Sequence, residues 1–162
     1  MVILGIDPGY GTVGYGVIDY AQGRAKALSY GAITTRPGRD LSLRLAEIYA
    51  DTQTLLDKFQ PEAVAIEELF FNKNITTGIQ VAQARGVLLL ACAQRGLTPF
   101  EYTPSQVKQA VVGYGKAEKM QMMELTRTLL HLDKLPRPDD AADALALALC
   151  HAHTAGSLLG GL

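Results

Sequence analysis

The sequence predicts an α/β fold, a mixed five-stranded sheet with helices on both faces. Three observations lead there. Three strand-like segments at the N-terminal end, Val2–Asp7, Gly14–Tyr20 and Ala27–Thr35, follow one another through short glycine-containing links, which favours an antiparallel meander. Two later strands, Ala63–Ile66 and Thr98–Tyr102, alternate with helical segments, which favours β-α crossovers. From Leu41 the apolar residues recur every three or four positions, the spacing of a helix.

Taken in order, Val2–Asp7 is an unbroken apolar run stopped by Pro8-Gly9, so it reads as a buried strand. Helical spacing starts at Leu41 and continues through Leu45, Ile48, Thr52, Leu55 and Leu56, with Asp40 available as the cap and Pro61 beyond the end. Ala63–Ile66 is a strand that runs into Glu67-Glu68. Thr76–Arg95 is a long helix, apolar nearly all round from Val81 onward. Ser105 is placed as the cap of a helix through Val112, and Ala117–Leu130 forms the next one after the Gly113-Tyr114-Gly115 loop. A final helix begins near Asp139, after Pro136 and Pro138, and runs to about Ala152.

Composition limits the function classes. The 162 residues are 48% hydrophobic and 19% charged, which excludes disordered, collagenous and low-complexity chains. One domain over residues 1–162 is expected, with a short loose tail from about residue 155. The longest apolar runs, Gly86–Ala93 and Ala144–Cys150, fall short of the ~20 residues of a membrane span. No basic leader precedes the first apolar run, and Cys92 and Cys150 fit no metal spacing, so a cytoplasmic protein with reduced core thiols is expected. Net charge is −1, yet Lys73, Arg85, Arg95, Lys108, Lys116, Lys119 and Arg127 face only Glu101, Glu118 and Glu124 between residues 69 and 128. That asymmetry suits a basic surface beside an acidic pocket, although scatter over solvated helix faces accounts for it about as well.

Three motifs carry chemistry. Gly9-Tyr10-Gly11-Thr12-Val13-Gly14 matches a dinucleotide pattern, but it opens onto the strand-like Tyr15–Asp19 and not onto a helix, so that reading fails. A strand, Asp7 and a Gly-rich hairpin suit either a phosphate-binding ATPase loop or a nuclease metal site; a plain turn accounts for Pro8-Gly9 equally simply. Glu67-Glu68 at the end of a buried strand calls for a partner or a metal, unless the strand end is solvated. Within Asp139-Asp140-Ala141-Ala142-Asp143, residues 140 and 143, or 139 and 143, project from one side of the first helical turn; helix capping is the competing explanation. Converging carboxylates without basic partners repel, and oxygen-only ligands select hard divalent ions. His131, His151 and His153 have no metalloprotease spacing and read as surface or core residues.

These motifs, with Gln83-Ala84-Arg85-Gly86 and Gln106-Val107-Lys108-Gln109, resemble the bacterial crossover-junction endodeoxyribonuclease RuvC family, in order over residues 2 to 153. The resemblance implies a ribonuclease-H-like fold and a homodimer that resolves four-way Holliday junctions by paired nicks in recombination and repair. It implies a catalytic and metal-binding set of Asp7, Glu67, Asp140 and Asp143 holding two Mg²⁺ ions, with Mn²⁺ as substitute. Asp139 is left as an extra acid, expected to cap the helix. Phe70, Lys108 and Lys119 match junction-contacting residues, and Lys73 and Arg85 are added as candidates for the DNA backbone. RuvA and RuvB, the branch-migration proteins, follow as partners from the resemblance alone.

Two expectations stand beside it. The Val81, Ala82, Ala84, Val87, Leu88, Leu89, Leu90, Ala91 and Ala93 set covers the whole circumference of one helix, more than packing on a sheet needs, which implies a second copy against it. The other functions considered are an actin-like ATP-binding domain, which needs a second domain that 162 residues do not supply, and a junction-binding module without catalysis.

Overall fold

The computed structural model describes residues 1–69 and 75–160, the last three as backbone only. Its elements are β1 (Val2–Asp7), β2 (Thr12–Ala21), β3 (Arg24–Thr34), α1 (Leu41–Phe59), β4 (Ala63–Glu67), α2 (Ile75–Ala93), β5 (Phe100–Tyr102), α3 (Pro104–Val112), α4 (Lys119–Leu129) and α5 (Asp139–Gly160). The sheet order is β3-β2-β1-β4-β5. β1 to β3 form the expected antiparallel meander, and β1, β4 and β5 run parallel.

The sheet has a core on each face. On one, Leu4, Ile6, Val17, Val64 and Ile66 pack against Ile48 and Leu56 of α1 and Leu88 of α2. On the other, Ile3, Ile18 and Ala65 pack against Leu145 and Leu149 of α5 and Val107 of α3. Alternation along β1 sends Ile3 to one face and Leu4 to the other, which is why the strand reads as continuously apolar. Cys92 and Cys150 are free and buried, and burial pushes both thiols up to about 11, as core thiols should be.

Several local expectations change. Thr103, not Ser105, caps α3: its hydroxyl accepts from the Gln106 amide while the Gln106 side chain accepts from the Thr103 amide, with Pro104 in the first turn. Asp40 makes no side-chain cap on α1; its carbonyl takes the Leu43 and Arg44 amides instead. α5 runs on to Gly160, so residues 155 to 160 are helical and not a loose tail; His153, near that end, packs edge-on against Tyr20 at 6.5 Å. α2 is also apolar and long enough, at 19 residues, to cross a membrane by length and composition, which the short Gly86–Ala93 run did not suggest. Its Ala84, Leu88, Ala91 and Cys92 are buried in the core beside α1, whereas Ile75, Ile79 and Leu90 are exposed.

Candidate active site

The centre of the sheet brings the acids together. Ile6 of β1 lies opposite Ile66 of the parallel strand β4, so the next residues, Asp7 and Glu67, emerge side by side at the same sheet edge. On the other side of Asp7, β1 pairs with β2 so that Asp7 lies opposite Gly14. α5 crosses above these strands, and a side chain at Gly14 would collide with the Asp140 backbone just as one at Gly5 would collide with the Ala144 carbonyl. The third glycine of the Gly9–Gly14 pattern therefore admits the first turn of α5. The preceding loop is closed: Thr35 donates its hydroxyl to the Tyr10 carbonyl at 2.8 Å and its amide to the Gly11 carbonyl at 2.9 Å.

Asp140 and Asp143, one turn apart on α5, thus come down on Asp7. Carboxylate oxygens of Asp7, Asp140 and Asp143 lie within 4.8 Å of one another. Glu67 joins through a hydrogen bond with Asp7. Burial, then the charges of Glu67 and Asp143, holds the Asp7 carboxyl far above the usual carboxylate range, so Asp7 keeps a proton and donates it within the cluster. Burial raises Glu67 as well, with Asp143 adding to the shift and the hydrogen bond from Asp7 opposing it. Desolvation raises Asp143, with Asp140 and Asp139 adding to the shift, against the pull of Lys119. Oxygen-only donors, crowded until one must hold a proton, fit hard divalent cations such as Mg²⁺ and leave no role for zinc-type ligation.

Two clefts border the acids. One of about 260 Å³ is lined by Glu67, Asp143, Lys108, Lys119, Pro104 and Met122. The other, of about 240 Å³, is lined by Glu67, Glu68, Pro8, Val81 and Arg85. Of the predicted DNA contacts, Lys108 and Lys119 stand in the first cleft, facing the acids. Arg85 reaches the second but is largely enclosed, paired with Glu101, its Nε without a hydrogen-bond partner among the described residues. Phe70 and Lys73 lie outside the described residues. Asp139 does not cap α5: the Pro138 carbonyl takes the Ala141 and Ala142 amides, and the Asp139 carboxylate pairs with Lys119 and Arg137. Neither Asp139–Lys119 nor Arg85–Glu101 has a local sequence signal, since each joins two different elements. Of the histidines, His151 is buried against Tyr102, whose hydroxyl is 2.7 Å from its Nδ1, and burial lowers its pKa.

A central pair of strands ending in acids, with a helix delivering two more across them, defines a ribonuclease-H-like protein with an acidic cluster at the centre of its sheet. Comparison with known proteins narrows the class. The family model for crossover junction endodeoxyribonuclease RuvC matches residues 3–151. The RuvC of Clostridioides difficile (strain 630) is 53% identical over 154 residues, covering 95% of this chain and 91% of the relative. That of Ruminiclostridium cellulolyticum is 51% identical over 162 residues, covering 99% and 98%. The structure of Thermus thermophilus RuvC in complex with a Holliday junction substrate superposes with a TM-score of 0.91 at 39% identity, covering 96% of this chain and 94% of that one. The chain belongs to the RuvC family.

Proposed function

We propose that this protein is a structure-specific endonuclease that resolves four-way DNA junctions by paired, divalent-metal-dependent nicks in recombination and repair. The observation that carries the proposal is the meeting of Asp7, Glu67, Asp140 and Asp143 beside a cleft walled by Lys108 and Lys119. The four acids would hold two Mg²⁺ ions, which would supply Lewis-acid activation of water and stabilisation of the leaving oxygen. Asp7, which touches both Glu67 and Asp143, would be the central ligand of such a site and would lose its proton to serve there. Lys119 faces the scissile phosphate and offsets the charge that builds there; Lys108 holds the DNA backbone without reading its sequence, whereas Arg85 is engaged by Glu101. Phe70 stacks on an unpaired base at the crossover, with Lys73 on the adjoining backbone. Water adds to phosphorus and the P–O3′ bond breaks, leaving a 3′-hydroxyl and a 5′-phosphate.

A second copy of the chain covers the exposed Ile75, Ile79 and Leu90 side of α2, which places two such sites on one two-fold junction. A substrate of cellular DNA and two buried free thiols suit the cytoplasm, where RuvA and RuvB would supply the junction. The test is incubation with an end-labelled four-way junction, with and without Mg²⁺ and with excess ATP. Symmetric nicks that need the metal and ignore ATP are expected. ATP-sensitive or metal-independent behaviour, or binding without cleavage, would overturn the proposal.

A further inference from the structure

We propose that Asp139, the acid beside the four-carboxylate set, is a positioning residue that holds Lys119 in the cleft for the phosphate. The inference rests on the nuclease reading above, in which Lys119 faces the scissile phosphate.

Asp139 is the first residue of α5 and Lys119 the first of α4. The Asp139 carboxylate joins the two helix starts: one oxygen lies 3.0 Å from the Lys119 ammonium and the other 2.8 Å from the Arg137 guanidinium. Both oxygens are thus engaged, and neither serves a helix amide. The anchor is rigid, because the neighbouring Asp140 backbone sits on Gly14 and Ala141 and Ala142 are buried. Lys119 is the opposite, 60% exposed on a flexible four-carbon stem, with Asp139 as its ion-pair partner among the described residues. Without that partner its ammonium would range through solvent; with it, the charge is kept over the cleft that Lys119 shares with Glu67 and Asp143. An ion pair this exposed contributes little to stability, so its effect falls on geometry. Orientation of a charged group toward the reacting atoms acts on the rate at saturation more than on binding.

Three variants test this by single-turnover cleavage of a four-way junction in Mg²⁺, with junction affinity measured separately in EDTA. Asp139→Asn is expected to lower the saturated cleavage rate by about 5–30-fold while binding the junction as well as the parent or better, since a negative charge near DNA is lost. Asp139→Glu, which keeps the charge, should recover most of the rate. In a Lys119→Met background, Asp139→Asn should cause no further loss, as expected for a residue that acts through Lys119. The proposal is overturned if Asp139→Asn cuts at the parent rate or faster, or if it slows the Lys119→Met protein as much as it slows the parent. A parent that does not cut the junction would instead remove the nuclease reading itself.

Discussion

Asp7 shows how much of the site's chemistry is set by one side chain's surroundings. Its ordinary pKa of 3.8 is raised because the ionised form is buried and faces Glu67, Asp143 and Asp140. A folded-state pKa above the unfolded one contributes stability that is complete below about pH 4 and lost as pH rises toward the folded value. In EDTA the protein should therefore melt at progressively lower temperature from pH 5 to pH 8. Asp7→Asn should flatten that trend and raise the melting temperature near pH 8, a gain of ~1 kcal/mol or more, while abolishing cleavage and leaving junction binding intact. Calorimetry at two pH values checks both statements; a mutant that melts below its parent at pH 8 would show the acids to be favourably paired. Because the same proton must leave when a cation enters, Mg²⁺ affinity by titration calorimetry should rise between pH 6 and pH 8, with proton release.

Among the elements, α5 decides whether there is a site at all. It lies across β1 and β2 on one face of the sheet, where Gly5, Gly14 and Gly16 leave room for its backbone. Gly14→Ala would put a methyl group against the Asp140 backbone. We expect a loss of about 1–3 kcal/mol, the usual cost of overpacking, and a cleavage defect larger than that loss of fold explains. Gly11→Ala is the control, since its new methyl group would meet only the Arg44 side chain at 3.4 Å, and it should cut junctions normally. Thermal melts paired with single-turnover rates separate the two. If Gly14→Ala cuts like the parent, α5 is not held to the strands by this approach.

For the whole molecule, the outer side of α2 is where the proposed second copy can be tested. Its inner side is spent on the core, while Ile75 is 74% exposed, Ile79 50% and Leu90 52%. Apolar residues repeating at helical spacing on an outer face signal a partner. Leu90→Glu should convert the protein to a monomer in sedimentation at micromolar concentration without lowering its melting temperature beyond what dissociation explains. The monomer should lose paired nicking first, because the two cuts then arise from independent encounters. A parent that already sediments as a monomer would leave α2 without the partner assigned to it.

Much of this protein is determined by its sequence alone, where the information is local. The meander, the strand ending at Glu67 and the helix carrying Asp140 and Asp143 all follow from short-range periodicity and turn residues, and the family motifs pick Glu67 over Glu68. The α3 cap was legible too, since Thr103-Pro104 with Gln106 three residues after the threonine is a capping-box pattern that outranks Ser105. What only the tertiary structure decided are relations between distant elements. Gly14 looks like part of a phosphate loop until α5 is laid across it, and Asp139 looks like a helix cap until Lys119, twenty positions earlier and on another helix, arrives beside it. Arg85 looks like a free DNA contact until Glu101 of β5 takes its guanidinium. The physical reason is the same in each case: a pattern along the chain constrains the backbone nearby, whereas the partner of a charge or the neighbour of a missing side chain is chosen by how the helices pack on the sheet.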